Sequence, residues 1–182
     1  VADLTVIAEV AADTTLTLTE TIRYDFGNTV QHGIYRDIPV AEELVTGDVR
    51  HYGVEILSVR MDAGPVPYEL QAVEDSLRVR IGDPEGAVMD VREYEIVYRV
   101  TGALQPVADE QAEGIGSSEG AAELYWNLVG TGWQVPIDRA EATVTGPTEP
   151  LAADCYAGVY GSEASCPTDV RDAESYADGI SL

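Results

Sequence analysis

The sequence contains no lysine, and its ten basic residues, all arginine, stand against 33 acidic residues. The formal net charge is -23. A surface of this charge repels phosphate groups, so nucleic acids and anionic lipid headgroups are poor partners. Solubility or adaptation to salt explains the charge most simply, and attraction of cations or cationic polymers is the alternative. The absence of lysine indicates genome composition or a salt-adapted lineage, and we derive no mechanism from it.

The chain also lacks long apolar runs. No stretch reaches the roughly 18 apolar residues that a membrane-spanning helix needs. A charged segment followed by an apolar one, as in a secretory leader, is absent as well. We therefore expect these 182 residues to be soluble, which is compatible with their being the excised ectodomain of a membrane protein.

Cysteine is scarce, and the two cysteines, Cys155 and Cys166, lie close together in the chain. Two cysteines cannot form a tetrahedral zinc site alone, and only His32 and His51 could assist them. A local disulfide is the simpler interpretation, and it implies an oxidising compartment. The alternative is a pair of unpaired thiols in a cytosolic loop.

Helical periodicity is missing too, because apolar residues recur with period two along most of the chain. In residues 16–26, Leu16, Leu18 and Ile22 share one face, whereas threonines occupy the other, as β-propensity favours. Many short strands separated by turn signals predict an all-β fold, an antiparallel β-sandwich with long irregular loops.

The pattern divides the chain into two parts. We expect residues 1–150 to form the β-sandwich domain and residues 151–182 a loop-rich C-terminal segment, closed by the disulfide between its two cysteines. An acidic, glycine- and serine-rich stretch at residues 102–120 predicts a mobile surface loop. A turn of helix is expected near residues 170–176.

Two segments mix aromatic, polar and glycine residues unusually densely. They are His-Gly-Ile-Tyr-Arg-Asp-Ile-Pro at 32–39 and Glu-Leu-Tyr-Trp-Asn-Leu-Val-Gly at 123–130. Neither matches a phosphate-binding loop, a metal-ligand spacing or a nucleophile elbow. An acidic turn with Asp83, Glu85 and Asp90 matches no calcium loop either, so we expect no metal site and no cofactor.

These segments occur in a characteristic order. A threonine-rich strand ends in Glu-Thr-Ile-Arg-Tyr-Asp-Phe at 20–26, and the segment at 32–39 follows it. Then come Tyr-x-Ile-x-Tyr-x-Val at 94–100 and Glu-Leu-Tyr-Trp-Asn-Leu-Val-Gly-Thr-Gly-Trp-Gln-Val-Pro-Ile at 123–137. Over residues 3–150 the chain resembles the extracytoplasmic N-terminal domain of the YciQ-like predicted membrane proteins of bacteria, a family of unknown function.

The resemblance carries several expectations. Members of that family look like a signal peptide, this β-rich domain, membrane helices and a glycine-rich cytoplasmic tail. It implies an extracytoplasmic position at the cell surface and a full-length protein anchored in the membrane. The family supplies no catalytic residues, so we expect no enzymatic activity.

Glu20 is the most informative single residue, because its neighbours at even spacing are all apolar. Period two therefore points its carboxylate into the core. A lone buried carboxylate is costly and requires a partner, and Arg36 is the natural candidate for a structural ion pair. The alternatives are a carboxylate at a ligand pocket, or a β-bulge that turns Glu20 outward.

The dense segments also supply candidate binding residues, which are His32, Tyr35, Arg36, Tyr125, Trp126, Asn127 and Trp133. The rings could form an aromatic platform for sugars or peptides, but packing in the core of a sandwich is the rival interpretation. His32 could act as a base or a ligand. A loop histidine bonded to a backbone carbonyl is the simpler expectation.

Three functions compete on this evidence. The first is a non-catalytic extracytoplasmic sensing or binding module of a cell-envelope membrane protein, with an unknown envelope ligand or membrane-protein partner. The second is a structural domain that scaffolds partner membrane proteins. The third is a hydrolase, for which we find no convergent acid–base or nucleophilic set. A cleft lined by Tyr35, Trp126 and Trp133 would favour the first function, and burial of these rings would favour the second.

Overall fold

The computed structural model describes residues 1–44, 47–107, 122–130, 133–158, 162 and 164–166, and all regular structure in these residues is β-strand. The described chain accordingly contains no helix that is long and apolar enough to cross a membrane. The strands are, in chain order, β1 (Asp3–Val10), β2 (Leu16–Asp25), β3 (Ile34–Pro39), β4 (Ala41–Glu43), β5 (Val49–His51), β6 (Gly53–Met61), β7 (Gly64–Pro65), β8 (Tyr68–Val73), β9 (Ser76–Ile81), β10 (Val91–Thr101), β11 (Leu104–Pro106), β12 (Ala122–Leu124) and β13 (Ala140–Thr145).

A six-stranded sheet in the order β13-β1-β2-β10-β6-β7 forms the larger layer. Its central pairs are antiparallel, with β2 between β1 and β10. The exception is β13, which runs parallel to β1. Parallel neighbours require a long connection rather than a tight hairpin, and the chain between β10 and β13 is long enough to return β13 to the end at which β1 starts. The all-β prediction is confirmed, and this one pair departs from the expected antiparallel order.

The smaller layer is a three-stranded sheet in the order β3-β9-β8. Ile34 and Ile38 on β3 and Val79 and Ile81 on β9 are buried, because the face of this sheet that carries them packs on the larger sheet. Two short antiparallel pairs, β4 with β5 and β11 with β12, complete the described strands.

The core lies between the two sheets and follows the predicted alternation. On β2, Leu16, Leu18 and Ile22 are fully buried, with Glu20 between them. On β10 every second residue is buried as well, and these residues are Tyr94, Ile96, Tyr98 and Val100. One polar position therefore lies in the middle of an otherwise apolar layer.

Two glycines fix how the smaller sheet begins and ends. Gly33 precedes β3 and Gly82 follows β9, with φ of 139° and 131°. Their backbones approach so closely that a Cβ atom on Gly33 would collide with the carbonyl of Ile81, and one on Gly82 with the carbonyl of His32. Only glycine, which lacks Cβ, allows this contact.

The predicted Cys155–Cys166 disulfide is confirmed, with the two Cα atoms 5.2 Å apart. A bridge between Tyr156 and Ser165 and a hydrogen bond from the Cys166 N–H to the Cys155 carbonyl flank it. The segment predicted to be a mobile loop lies mostly outside the described residues, and the helical turn expected near 170–176 lies entirely outside them.

Candidate functional site

The centre of the interior is Glu20, in the middle of β2. Its cross-strand neighbours are Val6 on β1 and Ile96 on β10, and its side chain is 0% exposed. The strand does not bulge outward at this point, because the pairing of β2 with both neighbours is in continuous register. Period two therefore places the carboxylate inside the sandwich, as the sequence indicated.

Arg36 on β3 reaches this carboxylate from the opposite sheet. Its Nε donates to Oε2 of Glu20 at 2.6 Å, and its Nη2 donates to Oε1 at 2.7 Å. The remaining Nη1 donates to the carbonyl of Asp37 at 2.8 Å. The side chain of Arg36 is only 2% exposed. A buried, two-point ion pair thus connects the two layers, which is the arrangement with the strongest charge-assisted hydrogen bonds.

Tyr98 on β10 is the third member of the cluster, and its hydroxyl donates to Oε1 of Glu20 at 2.6 Å. Burial, followed by the negative charge of Glu20, raises the pKa of Tyr98 well above its usual value. Burial alone would lower the pKa of Arg36, but the charge of Glu20 and the hydrogen bonds to it raise that pKa above the usual value. Arg36 and Tyr98 therefore keep their protons and remain donors.

The segment after β12 closes the cluster on its remaining side. The Trp133 ring lies against the guanidinium of Arg36, with 5.5 Å between Cζ and the ring centroid. The Trp133 indole N–H donates to the carbonyl of Val129 at 2.9 Å. Gly130, with φ of 83°, lies directly over the guanidinium and leaves no room for a Cβ atom. Its N–H is held by the Asn127 side chain at 2.8 Å.

Trp126 packs beside the same cluster. Its ring meets Tyr52 edge-to-face, with 5.0 Å between the centroids. The Tyr52 hydroxyl donates to Glu42 at 2.5 Å, and burial, followed by this hydrogen bond, raises the pKa of Tyr52 to about 12. The Trp126 indole N–H is buried without an acceptor in hydrogen-bond geometry, although it is close enough to Tyr98 to oppose slightly the rise in that pKa.

The charged groups of this interior cluster are almost completely buried and bonded to each other. Both carboxylate oxygens of Glu20 are bonded by Arg36 or Tyr98, and the Trp133 ring covers the guanidinium. Within the described ranges, no three His, Cys, Asp or Glu side chains converge in a way that could hold a metal ion. The geometry is that of a structural ion pair between two sheets.

The other sequence candidates are dispersed. His32 is exposed, and its Nδ1 lies 2.6 Å from the carbonyl of Gly86, the contact expected of a loop histidine. Tyr35 and Tyr125 are 58% and 60% exposed, whereas Trp126 and Trp133 pack against the core. Core packing thus accounts for the two tryptophans, whereas the two tyrosines are mostly exposed.

Sequence reasoning missed a second polar cluster, on the outer face of the smaller sheet. The guanidinium of Arg78 on β9 donates two hydrogen bonds to the carboxylate of Asp37 on β3, both with N–O distances of 2.7 Å. Its guanidinium also lies 5.3 Å from the centroid of the exposed Tyr35 ring. Next to it, Arg80 donates to Glu69 on β8 at 2.9 Å. The alternation of arginine along β9 was visible, but the partners follow only from the β3–β9–β8 register.

The fold and the two clusters define a β-sandwich domain, and comparison with known proteins places it in a family. The chain belongs to the family described as the N-terminal domain of a predicted membrane protein (DUF2207), which matches residues 1–177. This agrees with the resemblance drawn from the dense segments, and the family is one of unknown function. No curated protein matches the chain.

Among solved structures, the chain is similar to yeast LTA4 hydrolase in complex with bestatin, with 13% sequence identity and a TM-score of 0.50. The similarity covers 90% of this chain and 25% of that chain. The chain therefore spans about a quarter of the length of that structure. At this level of identity the likeness concerns the fold alone.

Removal of one partner from the buried pair should be strongly destabilising. Arg36→Ala or Glu20→Ala leaves an uncompensated charge in the core, and each should lower the free energy of unfolding by roughly 3–5 kcal/mol. The double variant should lose much less than the sum of the two, because no charge is left unpaired. Chemical denaturation of the three proteins measures this coupling.

The ion pair between Arg78 and Asp37 provides the matched control. It has a similar two-point geometry, but its side chains are 31% and 29% exposed. Arg78→Ala should cost about 1 kcal/mol or less. Additive losses in the Glu20 and Arg36 cycle, or a nearly silent Arg36→Ala, would show that the pair does not act as described.

The raised pKa of Tyr98 predicts a loss of stability at high pH. Tyrosines of the unfolded chain ionise near 10, whereas native Tyr98 holds its proton to higher pH. Between these values the unfolded state binds fewer protons, so the free energy of unfolding decreases as the pH rises. The stability that protonated Tyr98 contributes is fully present below pH about 10. No lysine titrates in this range, because the chain has none.

Denaturant unfolding of the wild type and of Tyr98→Phe from about pH 9 to 11 tests this linkage. At the lowest pH the variant should have a smaller free energy of unfolding than the wild type, since Glu20 loses a hydrogen bond. Its stability should then decrease less steeply as the pH rises. Parallel curves for the two proteins would contradict the assignment.

Proposed function

We propose that this domain is a non-catalytic, extracytoplasmic binding module of a membrane protein, and that it binds a protein partner through the outer face of its smaller sheet. Membership in a membrane-protein family supports the assignment to a membrane protein. The Cys155–Cys166 disulfide supports an extracytoplasmic position, because such bonds persist in oxidising compartments.

The observation that carries the proposal is the exposed Tyr35 ring held against Arg78. Asp37 fixes Arg78 by two hydrogen bonds, so the ring and the guanidinium form a preorganised pair. Rigid side chains lose little entropy when a partner binds. Tyrosine and arginine are also among the residues most enriched at the positions that dominate binding energy in protein interfaces.

The charge of this face favours the same conclusion. Arg78 and Arg80 balance Asp37 and Glu69 in adjacent cross-strand positions, while the whole chain carries -23. The face is therefore a locally neutral patch on a strongly acidic protein, where another protein surface can approach without the repulsion that operates elsewhere. We define this patch, with Tyr35, as the outer patch.

Sensing of a small ligand is less favoured by the geometry. Small-molecule sites are concave and combine apolar walls with a few convergent polar groups. The tryptophans that could form such walls pack against the core instead, and Trp133 covers Arg36. The polar groups of Glu20, Arg36 and Tyr98 are directed at each other, which leaves the exposed outer patch as the better candidate.

Photo-crosslinking in the full-length protein, in its own membrane, tests the proposal. A photoreactive amino acid at position 35 should give one dominant crosslinked protein, identified by mass spectrometry. The same amino acid at position 7 is the control, since Ile7 is 44% exposed on the outer face of the larger sheet. Equal products from both positions, or none from position 35, would contradict a binding role for the outer patch.

A further inference from the structure

Strand β8 is an edge of the smaller sheet, since it pairs only with β9 in the part of the chain that the structure describes. The two strands are joined by a two-residue turn between Val73 and Ser76. In such a hairpin the closing pair is hydrogen-bonded, and every second residue along β8 then directs its N–H and C=O towards β9. A bond from the Gly82 N–H to the Pro67 carbonyl agrees with this phase.

The residues between them direct their backbone the other way. The N–H and C=O groups of Tyr68, Leu70 and Ala72 point to the open side of β8, and no hydrogen bond to them is present among the described residues. These three residues are exposed. An open row of donors and acceptors is the template to which another strand can add.

The side chains at the same positions form an apolar surface that is only partly covered. Tyr68 and Leu70 lie on the core-facing side of β8, because they are paired with Ile81 and Val79, which are buried. Nevertheless Tyr68 is 41% and Leu70 49% exposed. The apolar layer of the sandwich thus continues past the last covered strand, and a further strand beside β8 would cover it.

Natural proteins usually protect such edges. Lysine or proline within the strand, a β-bulge, or a covering segment are the common devices. Among the residues that the structure describes, none of these protects β8, and its pairing with β9 is regular from Tyr68 to Val73. The charged residue within it, Glu69, is already bonded to Arg80.

We propose that the open edge of β8 accepts an extended segment of a partner protein in which apolar and basic residues alternate. The apolar side chains would lie beside Tyr68 and Leu70, and the basic ones on the other face, beside Glu69. A net charge of -23 attracts a basic segment. A second copy of this chain would bring the same negative charge, so it is the less favourable occupant.

This inference rests on the proposed binding role and specifies its partner. The outer patch is continuous with the edge, since Tyr35, Arg80 and Glu69 form one cross-strand row that ends at β8. The basic side chains of an added strand would extend this row on the same face.

The probe is a short capped peptide in which lysine and valine alternate, titrated into the isotope-labelled domain at low salt. Amide chemical shifts should change mainly at Tyr68, Leu70 and Ala72. In a strand added antiparallel to β8, the valine amides face β8 and the lysine amides face away. Methylation of the valine nitrogens should therefore abolish binding, whereas methylation of the lysine nitrogens, with identical charge, should preserve it.

A variant of the domain tests the same contact from the other side. Leu70→Pro removes an N–H that faces the open edge and leaves the β8–β9 ladder intact, a position at which strands tolerate proline. It should weaken peptide binding by about tenfold or more. Leu70→Ala, which keeps the N–H, should weaken binding less. If Leu70→Pro does not fold, the binding of the two methylated peptides to the wild-type domain tests the inference instead.

Equal binding of the two methylated peptides, or no binding of the parent peptide, would overturn the inference. So would a wild-type dimer in light scattering that Leu70→Pro abolishes, because the edge would then pair with a second copy. Specific crosslinking from position 35 without peptide binding at β8 would leave the proposed binding role standing and remove this inference alone.

Discussion

The structure depends on one constraint, which is that a carboxylate buried between two sheets must be neutralised and fully hydrogen-bonded. Removal of an ion from water costs several kcal/mol even after the protein relaxes, and Glu20 is 0% exposed. Arg36 has to arrive from the opposite sheet, and Tyr98 has to lie beside it on the neighbouring strand. The close approach of Gly130 and the Trp133 ring then excludes water from the guanidinium.

This arrangement explains why the first dense segment and the second one belong to the same structural unit. The first supplies Arg36 on β3, and the second supplies Gly130, directly over that arginine. Apolar contacts between sheets are non-directional, whereas a two-point ion pair accepts one geometry. We expect the pair to fix how the smaller sheet lies on the larger one, and so to position the outer patch and the edge of β8.

Much of this fold follows from the sequence alone, because period-two alternation identifies strands and their buried faces. The inward direction of Glu20 required nothing more, whereas the choice of Arg36 also rested on the small number of basic residues and on the segment at 32–39 that follows β2. Tyr98 was not predicted as a partner of Glu20, because the alternation shows which face a tyrosine occupies but not which group its hydroxyl contacts. The parallel β1–β13 pair and the ion pair between Arg78 and Asp37 depend on which strands become neighbours and which residues lie opposite each other. Alternation assigns a residue to one face of a strand but does not name its partner.

The most direct test of the buried pair is hydrogen exchange at the arginine Nε–H groups, measured by NMR. If Arg36 is sealed as described, its Nε–H should exchange only when the whole domain unfolds, and at the rate of the slowest core amides. Arg78, whose fork is similar but 31% exposed, should exchange rapidly in the same spectrum. An Arg36 Nε–H that exchanges as fast as that of Arg78 would contradict the account.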